Sequence, residues 1–362
     1  MTKRKYERGS EWRQWDLHVH SPASFHWGGV RFEPGGIDSE KNRELIDEMI
    51  AALNQAKPAV YAVMDYWTFD GWFALKKRLK EAGSPQLQKT IFPGIELRLA
   101  APTTCRLNAH VLFSDEVPDQ VLHDFKSTLE VEIIKSSLSD TALMELARTI
   151  SEDILKVHGI KKADVEHDDQ KALLAGAMVA EINCESYKKA IEKVPKGQAI
   201  GFMPYDTSDG LAEVKWQEHY AFFLGLFRSS PIFETRNIDR RCAFVGDETP
   251  GNAKWFKSFQ SALGFPKLAV SGSDAHCFVG QSGDNDKRGY GDFPSSKITW
   301  IKADPTFLGL CQAIREPSKR SFIGAKPPKL EEVDQNKTFF IERVEVRKNA
   351  GSSIADEWLA KC

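Results

Sequence analysis

Two imidazoles and a carboxylate separated by single residues, Asp16-Leu17-His18-Val19-His20, are the first residues along the chain that could do chemistry. They close a run that reads as a β-strand, and alternation along a strand puts positions 16, 18 and 20 on one face. Neutral imidazole suits zinc, manganese or iron, and a nearby carboxylate can orient the ring as a supporting partner. Alone, the pattern is equally that of a polar strand edge. Three further stretches share its character. Phe92-Pro93-Gly94-Ile95-Glu96-Leu97 ends an apolar strand in a carboxylate, which is costly to bury unless it meets a cation. Asn108-Ala109-His110-Val111-Leu112-Phe113 opens a buried-looking strand with a histidine, whose plain alternative is a satisfied core residue. Val270-Ser271-Gly272-Ser273-Asp274-Ala275-His276 passes from apolar to small residues and then presents Asp and His two apart; an ordinary Asx turn is the alternative there. Each stretch lies at or beside the carboxyl end of an expected strand, the rim where (β/α) barrels build active sites. Together they predict a metal centre of His18, His20, Glu96, His110, Asp274 and His276.

The elements that must position these residues follow from the hydrophobic pattern. Short β-branched runs alternate with helical periodicity, the signature of βα units. Strands are expected at 12–19, 60–66, 90–97, 108–113, 198–205, 232–236, 267–272 and 297–301. A helix over 39–55 and another over 71–82, closed by Gly83, lie between them. The stretch from about 116 to 195 is mainly helical and reads as an insertion, divided by the hydrophilic HGIKKADVEHDDQ. Ten residues between Leu97 and Asn108 are too few for a helical crossover, so a hairpin-like excursion is expected there. The fold expected is a distorted TIM-like α/β barrel over 1–325 with that helical insertion. A Pro- and charge-rich linker and one further strand pattern, FFIERVEVRKN, occupy 326–362.

Composition narrows the partners. With 362 residues, 41% hydrophobic and a net charge of −2, the chain can bury a large core but carries no global field toward nucleic acid or membrane. Polyanions would have to be held by local cations. Arg98, Arg236, Arg240 and Arg241 follow expected strands and suit bidentate phosphate binding, as they also suit a solvated basic face. Asp284, Asp286, Lys287 and Arg288 fall in a Gly-rich loop that could cover the rim. Six cysteines without a C-x-x-C pair, no apolar core in MTKRKYERGSEWRQW and no apolar run of about 18 residues predict a cytoplasmic protein with no membrane partner. No G-x-x-x-x-G-K-[ST] occurs, so ATP binding through a P-loop is excluded.

DLHVHSPAS, VMDYWTFDG, FPGIEL, NAHVLF and SGSDAH, in that order, resemble the polymerase-and-histidinol-phosphatase (PHP) superfamily. MDYWTFDGW and ITWIKADPTFLGLCQAIREPSKR are similar, more narrowly, to the PHP domain that precedes an ATPase in TrlF-like anti-phage defence proteins. The resemblance spans roughly residues 12 to 325. It implies a distorted (β/α)7 barrel that binds one to three divalent metals and hydrolyses phosphoesters. His18, His20, Glu96 and Asp274 would hold the first ion, Mn2+ or Zn2+ with Mg2+ and Fe2+ as alternatives. A second would share Glu96 with His110, but a histidine of the family pattern is replaced at Met203-Pro204. A third would use His276, while Phe25 and Tyr66 stand where ligands are expected; His26 or Asp206 are the nearby substitutes. Asp65 or His276 would act as general base, and Tyr66 would bond a phosphate oxygen or close the pocket. The reading is a metal-dependent phosphoesterase, most sharply a nuclease in anti-phage defence coupled to an ATPase domain or subunit. A small-molecule phosphatase and a non-catalytic sensor are the alternatives. RVEVRKN resembles the first strand of an ABC/SMC-type ATPase, so the chain is expected to be a fragment or relic of a longer protein. Homo-oligomerisation is left open.

Overall fold

The computed structural model describes residues 10–341 except 34–35, 104–105, 208 and 282–287. Seven strands make the barrel: β1 (Trp12–Val19), β2 (Val60–Val63), β3 (Thr90–Arg98), β4 (Asn108–Phe113), β5 (Ala199–Pro204), β6 (Ile232–Glu234) and β7 (Leu268–Val270). They neighbour one another in chain order. The ring closes where the chain beyond β7 meets the end of β1. Val19 and Ala275 form a parallel bridge there, Asp274 N–H donates to His18 O at 2.9 Å and His20 N–H donates to Ala275 O at 2.9 Å. The architecture is therefore a distorted TIM-like α/β barrel.

All barrel neighbours run parallel except β4, which is antiparallel to both β3 and β5. The short Leu97–Asn108 connection makes a hairpin, as its length requires. Reversal brings the start of β4 to the rim where the other strands end, and sets His110 opposite Glu96 in register. The eighth expected strand stands outside the barrel. β8 (Thr299–Lys302) pairs antiparallel with the first half of β1 and with β9 (Ser321–Ile323), a three-residue strand the pattern does not announce.

Alternation divides the strand residues between two cores. Trp15, Leu17, Met64, Phe92, Leu112, Phe202, Ile232 and Leu268 fill the barrel interior. Their sequence neighbours Tyr61, Val63, Val111, Met203, Phe233 and Ala269 pack on the outer side, in the core covered by the helices. Strand β1 breaks the pattern: its register with β2 slips between Asp16 and Val19, and Val19 joins the outer core after Leu17 has faced inward. The slip parts Asp16 from the two histidines that follow it.

Helix α1 (Glu40–Gln55) begins at Ser39, whose side chain accepts from Asn42 N–H, and buries Leu45, Ile46, Met49, Ile50 and Leu53 at helical spacing. Helix α2 (Asp70–Arg78) is shorter than its pattern suggests. The insertion holds α3 (Asp119–Thr128), α4 (Asp140–Thr149), α5 (Glu152–Val157), α6 (Lys162–His167), α7 (Asp169–Val179) and α8 (Cys184–Lys193). The hydrophilic stretch HGIKKADVEHDDQ opens with a turn at 158–161 that separates α5 from α6; it then folds as α6 around one buried residue, Val165, and Asp168 caps α7 by accepting from Gln170 and Lys171 N–H. Beyond β9 the expected linker carries a helix, Pro328–Gln335, and a 3-10 turn at Lys337–Phe339. The rest of the FFIERVEVRKN strand pattern, like Asp284, Asp286 and Lys287, lies outside the described residues. No helix among the described residues is long and apolar enough to cross a membrane.

Candidate metal centre

The six side chains expected at a metal centre converge on the rim. His18 Nε2 lies 3.4 Å from Glu96 Oε2 and 3.4 Å from Asp274 Oδ1. His20 Nε2 is 3.4 Å from the same Glu96 oxygen and 3.5 Å from the same Asp274 oxygen. His110 Nε2 faces the other Glu96 oxygen, Oε1, at 3.2 Å. His276 Nε2 faces Asp274 Oδ1 at 3.2 Å, with its ring stacked on His20 at 4.2 Å between centroids. Glu96 comes from β3, His110 from reversed β4, and the remaining four from the closure of β1 on the segment after β7.

Local sequence explains how they reach one point. Gly272 lets the chain after β7 pass His18, because a Cβ there would stand 2.5 Å from His18 Cβ. Asp274 itself takes a left-handed backbone conformation, φ 54°, which Asp tolerates better than most residues. Asn108, on the same face of β4 as His110, donates to Glu96 Oε1 at 2.7 Å and to the Tyr66 hydroxyl at 3.2 Å.

Burial works against charge on all of these groups, and their mutual fields decide which remain charged. Glu96 is held well below the usual carboxylate range by His110 and His18 despite its burial. Asp274 is held low in the same way, by His18, His20 and His276. His20 is pushed down to about 3, by burial first and then by His276. Ionised carboxylates beside the neutral His20 ring are donor-ready for a cation. His18, by contrast, is held well above the usual imidazole range by Asp274 and Glu234 despite its burial, so a cation there would displace its proton. Both ring nitrogens of His20 and of His110 are buried without a hydrogen-bond partner. Ligands about 2.0–2.2 Å from a zinc ion stand roughly 3–3.5 Å from one another, and that is the spacing of these nitrogens and oxygens.

Other expected residues lie around this centre in different ways. Tyr66 stacks on His20, 5.5 Å between centroids and 3° between planes, and burial pushes its hydroxyl well above the ordinary range. Asp65 is turned to Ser21: Oδ1 accepts its N–H at 2.7 Å and Oδ2 its hydroxyl at 2.6 Å. Gly71 packs against this pair, where a Cβ would overlap both. Arg98 is buried beside the centre, its guanidinium 5.1 Å from the Tyr66 ring and donating to the carbonyls of Ala177 (3.2 Å) and Met178 (2.6 Å) at the end of α7. Trp67 Nε1 donates to the same Ala177 carbonyl at 3.0 Å, so α7 forms a wall of the site. Arg236 lies 3.9 Å from Glu234 Oε1, and its Nε is buried without a partner. Arg240 stacks over Trp255, 4.1 Å from the ring centre, and Arg241 donates to Ser321 O. The exposed His26 ring lies within 6.0 Å of His276, beside Phe25. Met203 packs on the helix side of β5, so its residue type does not decide what the centre holds; Phe202 faces inward, 4.8 Å from the His110 ring.

One residue missed in the sequence, Glu234, belongs to the centre, and Arg288, expected in a loop covering the rim, reaches it too. Glu234, at the end of β6 and only 2% exposed, receives His18 Nδ1 at 2.9 Å and Gly272 N–H at 3.3 Å. The signal was present: Ile232-Phe233-Glu234 ends a strand in a carboxylate just as FPGIEL does. Arg288 donates to Ser273 O and, at 3.3 Å, to Asp274 Oδ2. Asp16, expected to support the imidazoles, does not: it accepts from Ser273 N–H at 3.0 Å and Gly291 N–H at 3.1 Å, because the slip in β1 turns it away.

No family model and no curated protein matches the chain. Among solved structures, an amidohydrolase from Chromobacterium violaceum, with bound sulfate and no metal, superposes at a TM-score of 0.40 with 15% identity, covering 76% of this chain and 94% of that one. A protein assigned as a metal-dependent phosphoesterase from Bifidobacterium adolescentis gives 0.37 and 12%, covering 78% and 94%. The lesion-specific endonuclease EndoQ from Pyrococcus furiosus gives 0.41 and 12%, covering 86% of this chain and 58% of that one. At these levels nothing is transferred from them, and the centre stands on its own geometry.

Proposed function

We propose that this chain is a divalent-metal-dependent phosphoesterase that cleaves nucleic-acid phosphodiesters. The observation that carries the reading is the cluster of buried His18, His20, Glu96 and His110 with half-buried Asp274 and His276, whose nitrogens and oxygens stand at ligand spacing with the imidazoles of His20 and His110 otherwise unpartnered. His18, His20, Glu96 and Asp274 would hold one Mn2+ or Zn2+ ion, and His110 and His276 flank it. Such an ion activates water and neutralises charge on a transferring phosphoryl group.

The chain's own groups divide the remaining work. His276 is the proposed general base. Its ring is partly exposed at the rim with Nε2 facing Asp274, which places it to take a proton from the attacking water; Nδ1 is buried without a hydrogen-bond partner. Asp65, with both oxygens given to Ser21, braces the loop after His20 instead. Tyr66 and Arg236 are half-buried beside the centre, and their hydroxyl and guanidinium donors suit the phosphate oxygens. Arg98 is buried with its guanidinium given to the end of α7 and braces Tyr66 instead, and Arg240 stands farther round, over Trp255. The role in anti-phage defence, and coupling to an ATPase domain or subunit, rest on the resemblance of MDYWTFDGW and the 298–320 segment to TrlF-like proteins.

The test is hydrolysis by the purified chain. With Mn2+ or Zn2+ supplied, it should cleave bis(p-nitrophenyl) phosphate and single-stranded DNA or RNA, and His18→Ala with His20→Ala should abolish this. Metal bound at the site without cleavage of any of the three substrates would overturn the enzyme assignment.

A further inference from the structure

We infer that Glu234 is the positioning residue of the metal centre: it fixes the ring of His18 so that Nε2, and not Nδ1, is presented to the cation. The inference rests on the metal-centre reading and adds a residue that the sequence motifs do not contain.

His18 is the one buried imidazole of the centre with a carboxylate on each side. Nε2 points to Glu96 and Asp274, 3.4 Å from each, while Nδ1 lies 2.9 Å from Glu234 Oε2. An ionised carboxylate can only accept, so Nδ1 is the nitrogen that carries the hydrogen in this pair. In a neutral ring the lone pair is then confined to Nε2, on the side of the other carboxylates. His20 and His110 face carboxylates through Nε2 alone, and their Nδ1 atoms are buried without a hydrogen-bond partner. Glu234 is itself fixed: Gly272 N–H donates to Oε1 at 3.3 Å, and the backbone of Glu234 pairs in parallel register with Val270 of β7. At 2% exposure there is little room for water to replace it. Carboxylates in this position behind a ligating histidine raise its basicity and hold its orientation, and their loss typically costs 10–100-fold in metal affinity.

Glu234 also stands with His18 and His110 at a spacing that could hold a cation directly, so positioning and direct ligation are told apart by what each predicts. Both Glu234 oxygens already have donors, His18 Nδ1 and Gly272 N–H, whereas Glu96 presents its two oxygens to three imidazoles. A direct ligand removed should lower the number of ions bound; a positioning residue removed should weaken binding at unchanged number.

The experiment compares the full chain with Glu234→Gln, Glu234→Asp and Glu234→Ala. Mn2+ titration followed by electron paramagnetic resonance should give the same stoichiometry throughout. The dissociation constant should rise about 10–100-fold for Glu234→Ala, with partial recovery in Glu234→Gln and Glu234→Asp. Proton–nitrogen NMR of the metal-free protein should show a downfield His18 Nδ1–H, protected from exchange, that Glu234→Ala loses. That second readout needs no metal. If the unaltered chain binds no Mn2+ yet shows this proton, the metal-centre reading fails and the pairing stands. Unchanged affinity in Glu234→Ala, loss of one bound ion, or absence of the Nδ1–H signal from the unaltered chain would each overturn the inference. Should Glu234→Ala fail to fold, the near-isosteric Glu234→Gln carries both measurements.

Discussion

Two layers of the same barrel solve opposite problems. The interior layer, with Trp15, Leu17, Met64, Phe92, Phe202 and Ile232, is apolar and close-packed. The layer above it, with His18, His20, Glu96, His110, Glu234 and Asp274, is just as buried apart from Asp274, yet it is polar and partly unpartnered. The strands pass from one to the other within a few residues, as in Ile232 to Glu234 and Phe92 to Glu96. An unsatisfied buried donor or acceptor costs about 1–3 kcal/mol, so the upper layer is a net burden on folding. The lower layer must offset it. Stability and chemistry are thus stacked along the barrel axis.

The sharpest way to break that comparison is to empty the upper layer. His18→Ala with His20→Ala should weaken Mn2+ binding by at least about 10³-fold, about 4 kcal/mol, and should also lower the metal-free melting temperature, because Glu96, Glu234 and Asp274 lose the imidazoles that face them; calorimetry on both states checks this. A rim carboxyl with full hydrogen bonding should behave differently. Burial raises Asp65 to about 7, offset in part by its bonds from Ser21. The folded protein therefore holds a proton that the unfolded chain releases near pH 4, so this contribution is complete below about pH 4 and is lost as pH rises through 7. Asp65→Asn, which can still bond Ser21, should remove on the order of 3 kcal/mol of stability difference between pH 4 and pH 8. Urea titrations at both values that give parallel losses for the variant and the parent would contradict the assignment. In the lower layer, Ile232→Ala should cost about 3 kcal/mol in urea with metal stoichiometry intact. At the seam, Gly272→Ala should do both in smaller measure. The added methyl pushes on His18 Cβ, so about 2 kcal/mol is lost together with some metal affinity, read from the same titrations.

The rim residues were legible because each carries its own cost: a histidine or carboxylate ending an apolar run is hard to explain except by convergence. Six such residues meet where the strand order places them. The reversal of β4 was legible from a loop too short for a crossover. Partner choice was not. Asp16 lies two residues from His18 and reads as its natural support, but a slip of register in β1 gives it to Ser273 and Gly291, while Glu234 arrives from β6, two strands away across the closure. Bulges are decided by pairing geometry across strands, which periodicity within one strand does not encode. The α6 segment was unreadable for a related reason, since one apolar residue, Val165, anchors a helix that is otherwise charged.

The antiparallel pairing of β4 with β5 makes the entire helical excursion, topologically, an outsized hairpin loop. Its two ends meet at Phe113 opposite Ala199, and Ser114 N–H already donates to Gln198 O at 2.9 Å. A tight turn spliced between those residues would leave every barrel strand in register. What it would release is the grip of Ala177 and Met178 on Arg98 and Trp67, so a miniaturised barrel of this kind would keep its cation cage while shedding one wall.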